Sequence, residues 1–536
     1  MEGSVARKSR IGSFQSGVSW RSLVVMRARA FLVILIFFCR LGWGAADNRE
    51  FTLVTYNVEN LFDVDGLSAY SDYQSENYGP REMLLKLQGI VRVLGTVSSS
   101  WGGRQRTGPD VIVFNEIEID QTPESRVEDL GAWLDAHAGK SVESLLGGES
   151  LDEGLRGLPA NVWLAKALED GGLGRYEVAE TDEGPGVYED GRPIGVRNVI
   201  FSRFPIKDIR THRTLNARAI LEVRIDVEGY PLIVFGNHWK SGAGDLAAES
   251  IRIENARTLR GRLDEIFAEN PMADVVVAGD LNSHYNQGRR YREMRRTGIE
   301  DVLGSQGNEI ALRGQERDLY NLWFEVPSDK RGSDIYQNEW GTLMHIIVSR
   351  GLYDRMGIQY VDNSFAVLSI PELNMDDFGR PKRWDFLVGG YSDHFPLLAR
   401  FRVAEQVENP RWMALSRPSR GEMSQEPRRV NFALVDILKN VRDASKLPKG
   451  TDLQDGSFNG LVFKVQAPAR VDRRGVVLVE VCGKEFELYS SDDEIRRELK
   501  ARVEQKGELR FYGELGTFRK RWQFLIHGRE WLIPRM

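Results

Sequence analysis

Cysteine is nearly absent from this chain: its 536 residues hold two, Cys39 and Cys482. A disulfide framework is therefore excluded as the basis of the fold, and a chain of this length can bury a core without one. Histidine is also sparse, at seven residues, and no Cys/His cluster points to structural zinc. Excess charge is lacking too. Lys and Arg total 72 against 78 Asp and Glu, a net charge of −6. No global basic field draws in a polyanion, so any such affinity must come from a local patch.

Long apolar runs are equally scarce. Phe31–Phe38 (FLVILIFF) is uninterrupted, with Arg27 and Arg29 before it and Gly44-Ala45-Ala46 after it. Eight residues are too few for a bilayer span, which needs about 20. A basic start, a short apolar core and small residues describe a secretory signal peptide over 1–46, with Met26 the better start. An uncleaved anchor is the alternative. Cleavage near Ala46 removes Cys39 and leaves only Cys482.

What the chain does have is a repeated pattern of apolar runs ending in polar clusters. Val275-Val-Val-Ala-Gly-Asp-Leu-Asn282 reads as a buried strand that delivers Asp280 and Asn282 at its tip. Tyr56-Asn-Val-Glu-Asn60, Phe114-Asn-Glu116, Gly236-Asn-His-Trp-Lys240 and Tyr391-Ser-Asp-His-Phe-Pro396 follow the same plan. Strands are expected at Phe51–Asn57, Val111–Asn115, Val199–Phe201, Ala219–Val227, Leu232–His238 and Val275–Gly279. Amphipathic helices are expected at Arg81–Leu94, Asn161–Glu169 and Ile251–Phe267. Mixed strands and helices of this kind predict a layered α/β enzyme.

The five clusters, in this order, resemble those of the endonuclease/exonuclease/phosphatase (DNase I-like) family of metal-dependent phosphoesterases. The resemblance runs from roughly Phe51 to Val403. It implies an α/β (α+β) fold, a four-layer α/β/β/α sandwich of two packed mixed sheets, over 47–404. It also implies roles for the residues. Asn57, Glu116 and Asp393 would hold a divalent cation: Mg²⁺, with Mn²⁺ or Ca²⁺ as alternatives. Asp280 would orient or deprotonate the attacking water, and Asn282 would bind a phosphate oxygen. His238 and His394 would donate to phosphate or stabilise charge. Arg197, Asn198 and Lys240 would contact phosphate, with structural roles about as plausible for each. The chemistry suits these residue types. A phosphodiester resists attack until a cation offsets its charge and water is activated, and hard cations prefer oxygen ligands.

One position departs from the family pattern. In Trp340-Gly-Thr-Leu-Met-His-Ile-Ile-Val-Ser349, Met344 stands where the family usually carries an aspartate that pairs with the last histidine. Methionine can neither fix a tautomer nor favour the charged ring. Asp385 and Asp334 are the candidate replacements, and without one His394 would be poorly supported.

Beyond the family region, 405–429 carries Pro410, Pro418 and Pro427 amid Ser and Arg and reads as a linker. Residues 430–536 read as three strands, a helix and two strands, the order of an OB-like β-barrel. An SH3-like barrel is the alternative. This tail has 20 Lys/Arg against 16 Asp/Glu. Tyr512, Phe518, Trp522 and Phe524 lie among its basic residues and could stack bases, or could simply form the barrel core. As a sequence, the chain reads as a secreted or periplasmic Mg²⁺-dependent phosphoesterase, most readily a nuclease acting on DNA or RNA, with the tail a separable module. Two readings compete: action on lipid or small-molecule phosphoesters, and an impaired phosphoesterase-fold binding protein. No stable membrane span is expected after leader removal.

Overall fold

The computed structural model describes residues 49–122, 126–147, 151–308, 312, 318–354, 356–403 and 427–534. The leader 1–46 and most of the linker 405–429 lie outside the described residues. Among the described residues no helix is long and apolar enough to cross a membrane.

In chain order, the first half contributes β1 (Arg49–Leu61), α1 (Pro80–Leu94), β2 (Val111–Glu118), α2 (Ala160–Asp170), β3 (Glu177–Glu180), β4 (Val196–Ser202) and β5 (Ile206–His212). It continues with β6 (Ile220–Val227), β7 (Tyr230–His238), α3 (Leu246–Glu269), β8 (Val275–Asp280), β9 (Leu319–Asn321), β10 (Met344–Val348), β11 (Ile358–Tyr360) and β12 (Leu397–Val403). One sheet runs β11-β12-β1-β2-β4-β3 and the other runs β9-β10-β8-β7-β6-β5. At the centre of each sheet two strands are parallel: β1 with β2, and β7 with β8. Parallel neighbours end at the same edge, so the tips of β1, β2, β7 and β8 can meet.

Strand alternation then builds the layers. Phe51, Leu53, Val111 and Val113 from one sheet meet Val223, Val234, Val276 and Ile346 from the other in a shared core. The opposite face of the first sheet, through Val54, Tyr56 and Phe114, packs under Met83, Leu87 and Ile90 of α1 and Trp163 of α2. The outer face of the second sheet, through Phe235, Val275 and Val277, packs under Ala256, Leu259 and Leu263 of α3. These are the four layers expected from the resemblance. α1 starts at Pro80, where a missing N–H costs nothing, and α3 starts on the Asp245 cap, which accepts from Ala247 N–H.

The C-terminal region adds β13 (Val462–Val471), β14 (Val477–Val481), β15 (Lys484–Tyr489), α4 (Asp493–Lys506), β16 (Glu508–Phe518) and β17 (Arg521–Leu525). The order β13-β14-β15-β17-β16 closes by pairing of β16 with β13, with α4 between the third and fourth strands. This is the closed five-stranded barrel expected. Of the four aromatics flagged as base stackers, Phe524 is fully buried, and Tyr512 and Trp522 pack on the barrel core. Phe518 alone stands 60% exposed.

The barrel contacts the sandwich region through several side chains. Phe378 of the sandwich region packs into it, 5.1 Å from Phe432 and 5.6 Å from His527. Arg380 lies over Phe378 and pairs with both Asp376 and the buried Glu514 of β16. Thr517 donates to Asp385 at 2.5 Å, and Lys520 donates to Asn77 at 2.7 Å. This docking was not legible in the sequence because its contacts join residues 54 to 443 positions apart.

Candidate active site

Several cluster residues lie where their strands distort. The β1–β2 register slips after Asn57, and the β2–β4 register slips after Phe114. In the bulged stretches Glu59, Asn60 and Glu116 take φ of +53°, +64° and +65°, a region non-glycine residues rarely enter. Asn282 does the same at +47°. Strain of about 1–3 kcal/mol per such residue persists where surrounding structure enforces it, typically at functional sites. Gly279 has φ +126°, and a Cβ there would lie 2.0 Å from Asn237 O. Only glycine lets β7 and β8 approach this closely before Asp280.

The tips converge. Asn57 Nδ2 donates to Glu116 Oε1 at 3.0 Å and to Asp280 Oδ2 at 3.2 Å. His238 Nε2 lies 3.8 Å from both of those carboxylates. His394 Nε2 lies 3.6 Å from Asp280 Oδ2, and its Nδ1 is 2.8 Å from Asp393 Oδ1. Asp280 also accepts the Asn282 N–H at 2.9 Å, while Asn282 Nδ2 reaches Trp239 O. Seven of the ten expected residues therefore share one centre: Asn57, Glu116, His238, Asp280, Asn282, Asp393 and His394.

The other three sit elsewhere. Arg197 directs its guanidinium at Glu180, 2.9 Å away, so that charge is already spent. Asn198 is fully buried between the sheets, where it donates to Ala219 O and accepts from Asn115. Both are thus engaged by protein partners, apart from the seven residues that meet at the centre. Lys240 lies on the rim, its ammonium pKa lowered by burial and by the neighbouring Arg192 and Arg218. Arg218, which the sequence did not single out, also acts on His238. Arg192 is itself paired with Asp190 at 2.8 Å.

Burial sets the electrostatics. Asp280 is raised to about 6 by desolvation, opposed by His394 and the Asn282 N–H, and raised further by Glu116 and Asp334. Burial together with Arg218 and His394 holds the His238 imidazole well below its ordinary pKa, hence neutral. Burial also opposes charge on His394, but Asp393, Asp280 and Asp334 outweigh it and raise that ring well above the ordinary value.

Met344 loses its significance in this setting. It is fully buried in the inter-sheet core, beside Asp280 in the ladder. His394 donates from Nδ1 to Asp393 Oδ1 instead. Asp334 stands behind it in an isolated bridge with His394, its Oδ1 held by Ser333 Oγ and Leu343 N–H. Asp385 is not the replacement, because it accepts from Thr517 at the barrel.

A supporting layer escaped the sequence. Lys86 is 1% exposed and donates to Glu59 O at 2.9 Å and Tyr391 O at 3.1 Å. It thereby ties β1 to the Asp393 loop. Glu59, read from sequence as unremarkable, accepts from Arg383 Nε at 2.5 Å and Trp384 N–H at 2.7 Å. A signal did exist: Lys86 occupies the apolar stripe of α1 with Met83, Leu87 and Ile90. A lysine there must bury its charge and find acceptors.

For a cation, the donor set is oxygen. The Glu116 side chain is 17% exposed, has one oxygen on Asn57 and faces the opening. Asp393 is 34% exposed but engaged by His394, with Arg383 3.7 Å away. Among the described residues no three His, Cys, Asp or Glu groups form a closed cage. One or two carboxylates with the remaining ligands left to water is the arrangement Mg²⁺ favours, so the residues fit a hard, water-retaining cation.

Comparison with known proteins gives the same family. A sequence model of the Endonuclease/Exonuclease/phosphatase family matches residues 196–402. A search of curated proteins finds no match. Similar solved structures include TDP2 from C. elegans, at 12% identity and TM-score 0.35, covering 68% of this chain and 78% of that one. The human Nocturnin catalytic domain with bound sulfate follows at 13% identity and TM-score 0.35, covering 67% and 95%. A family protein from Leptotrichia buccalis gives 13% identity and TM-score 0.36, covering 65% and 98%. Over residues 196–402 the chain is therefore similar to the endonuclease/exonuclease/phosphatase family.

Proposed function

We propose that the protein is a secreted or periplasmic divalent-metal-dependent phosphodiesterase whose substrate is nucleic acid, with Mg²⁺ the favoured metal. The observation that carries this reading is the meeting of Asn57, Glu116, His238, Asp280 and His394 within 4 Å contacts at one cleft. Glu116, with Asn57 beside it, would hold the cation, which offsets phosphate charge and lends acidity to bound water. Asp280 accepts a proton at Oδ2 from the attacking water, and its raised pKa makes it a stronger base than a surface aspartate. His394, charged and fixed by Asp393, donates to a non-bridging phosphate oxygen through Nε2, which is buried and without a hydrogen-bond partner. Neutral His238 donates to a second oxygen, and Asn282 is placed to hold a third. Arg218 and Lys240 attract the anion at the rim. Export rests on the leader pattern ending near Ala46. The impaired-protein reading depended on an unsupported His394, and Asp393 removes that ground.

The test is turnover of supercoiled DNA, RNA, a chromogenic phosphodiester and a phosphomonoester with Mg²⁺, Mn²⁺ or EDTA. Metal-dependent cleavage of the diesters, lost in EDTA, is expected. Absence of turnover with every metal overturns the reading.

A further inference from the structure

At the catalytic centre, cations stand among the acids: Arg383 beside Glu59 and Asp393, and His394 beside Asp393 and Asp280. Farther along the same two strands the acids stand alone. β1 and β2 run parallel as far as Leu61 beside Ile117. β1 then leads into Asp63-Val64-Asp65-Gly66, while β2 ends on Glu118, two residues before Asp120. The partners of these four carboxylates are N–H groups and one hydroxyl. Glu118 Oε2 accepts the Asp63 N–H at 2.7 Å, and Asp63 Oδ1 accepts the Asp65 N–H at 3.0 Å. Asp65 Oδ1 accepts the Leu67 N–H at 2.6 Å, and Asp120 Oδ1 accepts the N–H and hydroxyl of Thr122 at 2.8 and 3.0 Å. No Lys, Arg or His pairs with any of the four among the described residues.

Each of those bonds uses one carboxyl oxygen and leaves the other. Asp63 is 3% exposed, and its Oδ2 is buried without a hydrogen-bond partner. Asp65 Oδ2 is likewise buried without a partner. Asp63 faces the other acids: Glu118 holds its N–H, and the charges of Asp65 and Asp120 act on its carboxyl. Burial and those charges push that carboxyl up to about 8, resisted by the Asp65 N–H and by no cation. Buried polar atoms are rarely left unsatisfied, and a buried carboxylate is ordinarily paired or bound to a metal. A shared proton would bridge one pair of oxygens, whereas here two are open and two more acids adjoin them.

The donors are all oxygen, which selects a hard cation. These side chains do not close a cage by themselves, so carbonyls and water complete the shell. Ca²⁺ accepts such an irregular oxygen shell, whereas Mg²⁺ demands a near-octahedral one and sheds water reluctantly. We propose that Asp63, Asp65, Glu118 and Asp120 form a second cation site, for Ca²⁺, which clamps the ends of β1 and β2 beyond the catalytic centre. It shares no ligand with the Glu116 site. Its role is positioning, because β1 and β2 carry Asn57 and Glu116. The assignment does not depend on the phosphodiesterase reading.

The test is run on the metal-free full chain in a Glu116→Gln background, which silences the catalytic cation site. Calorimetric titration with CaCl₂ should show one Ca²⁺ bound, and MgCl₂ should bind more weakly. Adding Asp63→Asn and Asp65→Asn keeps the carbonyl oxygens that accept from Asp65 and Leu67, yet should weaken Ca²⁺ by about tenfold or more, because affinity follows ligand charge. Thermal unfolding adds a sign. Ca²⁺ should raise the midpoint of Glu116→Gln, as a ligand of the folded state does, and leave that of the triple variant unchanged. In chelator the triple variant should unfold no lower than Glu116→Gln, since a buried repulsion is removed. Should the triple variant fold poorly, Tb³⁺ emission in Glu116→Gln still decides. Tyr78, whose hydroxyl feels Glu118 and Asp63, lies beside the site, so tyrosine-excited Tb³⁺ emission should appear and be displaced by Ca²⁺. Absence of Ca²⁺ heat, midpoint shift and displaceable emission in Glu116→Gln means the acids share protons, and overturns the proposal. So does undiminished Ca²⁺ affinity in the triple variant, or tighter binding of Mg²⁺ than of Ca²⁺.

Discussion

The strand-end centre and the barrel interface both bury charge, but they use it differently. At the centre, Asp280 and Glu116 crowd together with Asp393 nearby, and two carboxylates share a single Asn57 amide. Burial, with Glu116 adding to it, displaces the Asp280 proton affinity, and two histidine nitrogens, His238 Nδ1 and His394 Nε2, have no hydrogen-bond partner. At the interface, Arg380 meets Asp376 and Glu514, and Glu514 also meets His527, so each charge is answered. Unanswered buried charge favours reaction over stability, whereas answered buried charge fixes geometry. The contrast assigns chemistry to the sandwich and placement to the barrel contact.

The largest effect expected from this contrast is at the centre. Asp280→Ala should lower turnover of a chromogenic diester by about 10²–10⁴, the range for a general acid–base group. Its unfolding midpoint should hold or rise, since a buried repulsion is relieved. A marked loss of stability with little loss of turnover would place Asp280 on the structural side. At the interface the signs reverse. Glu514→Ala leaves Arg380 with half its pairing in a buried setting and should destabilise by about 3–5 kcal/mol, read by denaturant unfolding. Deleting residues after Val403 should also impair small-diester turnover, because Phe378 and Arg380 would lose their cover beside the segment carrying Asp393. Full activity in the truncated chain would restore the separable-module view.

A smaller effect lies in pH. His345 is fully buried, with Nε2 2.8 Å from Ser283 O and Nδ1 3.0 Å from Asn321, and burial lowers its pKa to about 4. The unfolded chain, with a histidine near 6.5, takes up this proton first as pH falls. The contribution is therefore intact above pH 6.5 and is lost on descent toward about pH 4, by up to about 3 kcal/mol. Unfolding curves across that window should be flatter in His345→Asn than in the parent, and parallel curves would refute the assignment. The smallest effect is at Met344. Met344→Leu conserves volume in the core and should cost less than about 1.5 kcal/mol, with turnover and its pH profile unchanged. A displaced profile would mean the methionine serves His394 after all.

Much of the centre was legible because its residues close apolar strands, and a polar group at the end of a buried strand has few other uses. Asn57, Glu116, His238, Asp280 and Asn282 lie at strand ends, while Asp393 and His394 precede β12 and were assigned by the family resemblance. Arg197 and Asn198 failed the same rule because they lie within β4, not beyond it, so their polar groups are consumed by Glu180, Asn115 and Ala219. The concern over Met344 failed for another reason. A carboxylate can be supplied from any element that reaches the ring, and Asp393 reaches it from the adjacent residue.

The sequence by itself determined a layered α/β domain, a five-stranded tail and the residue types at the strand tips, and the four-layer sandwich followed from the family resemblance. Strand periodicity and strand ends are properties of neighbouring residues. Only the tertiary structure decided that Lys86 and Glu59 brace the centre, that Asp393 partners His394, and that the barrel docks through Arg380 and Thr517. Apart from the adjacent Asp393–His394 pair, those contacts link positions tens to hundreds of residues apart, where spacing along the chain carries no information and only packing sets the distance.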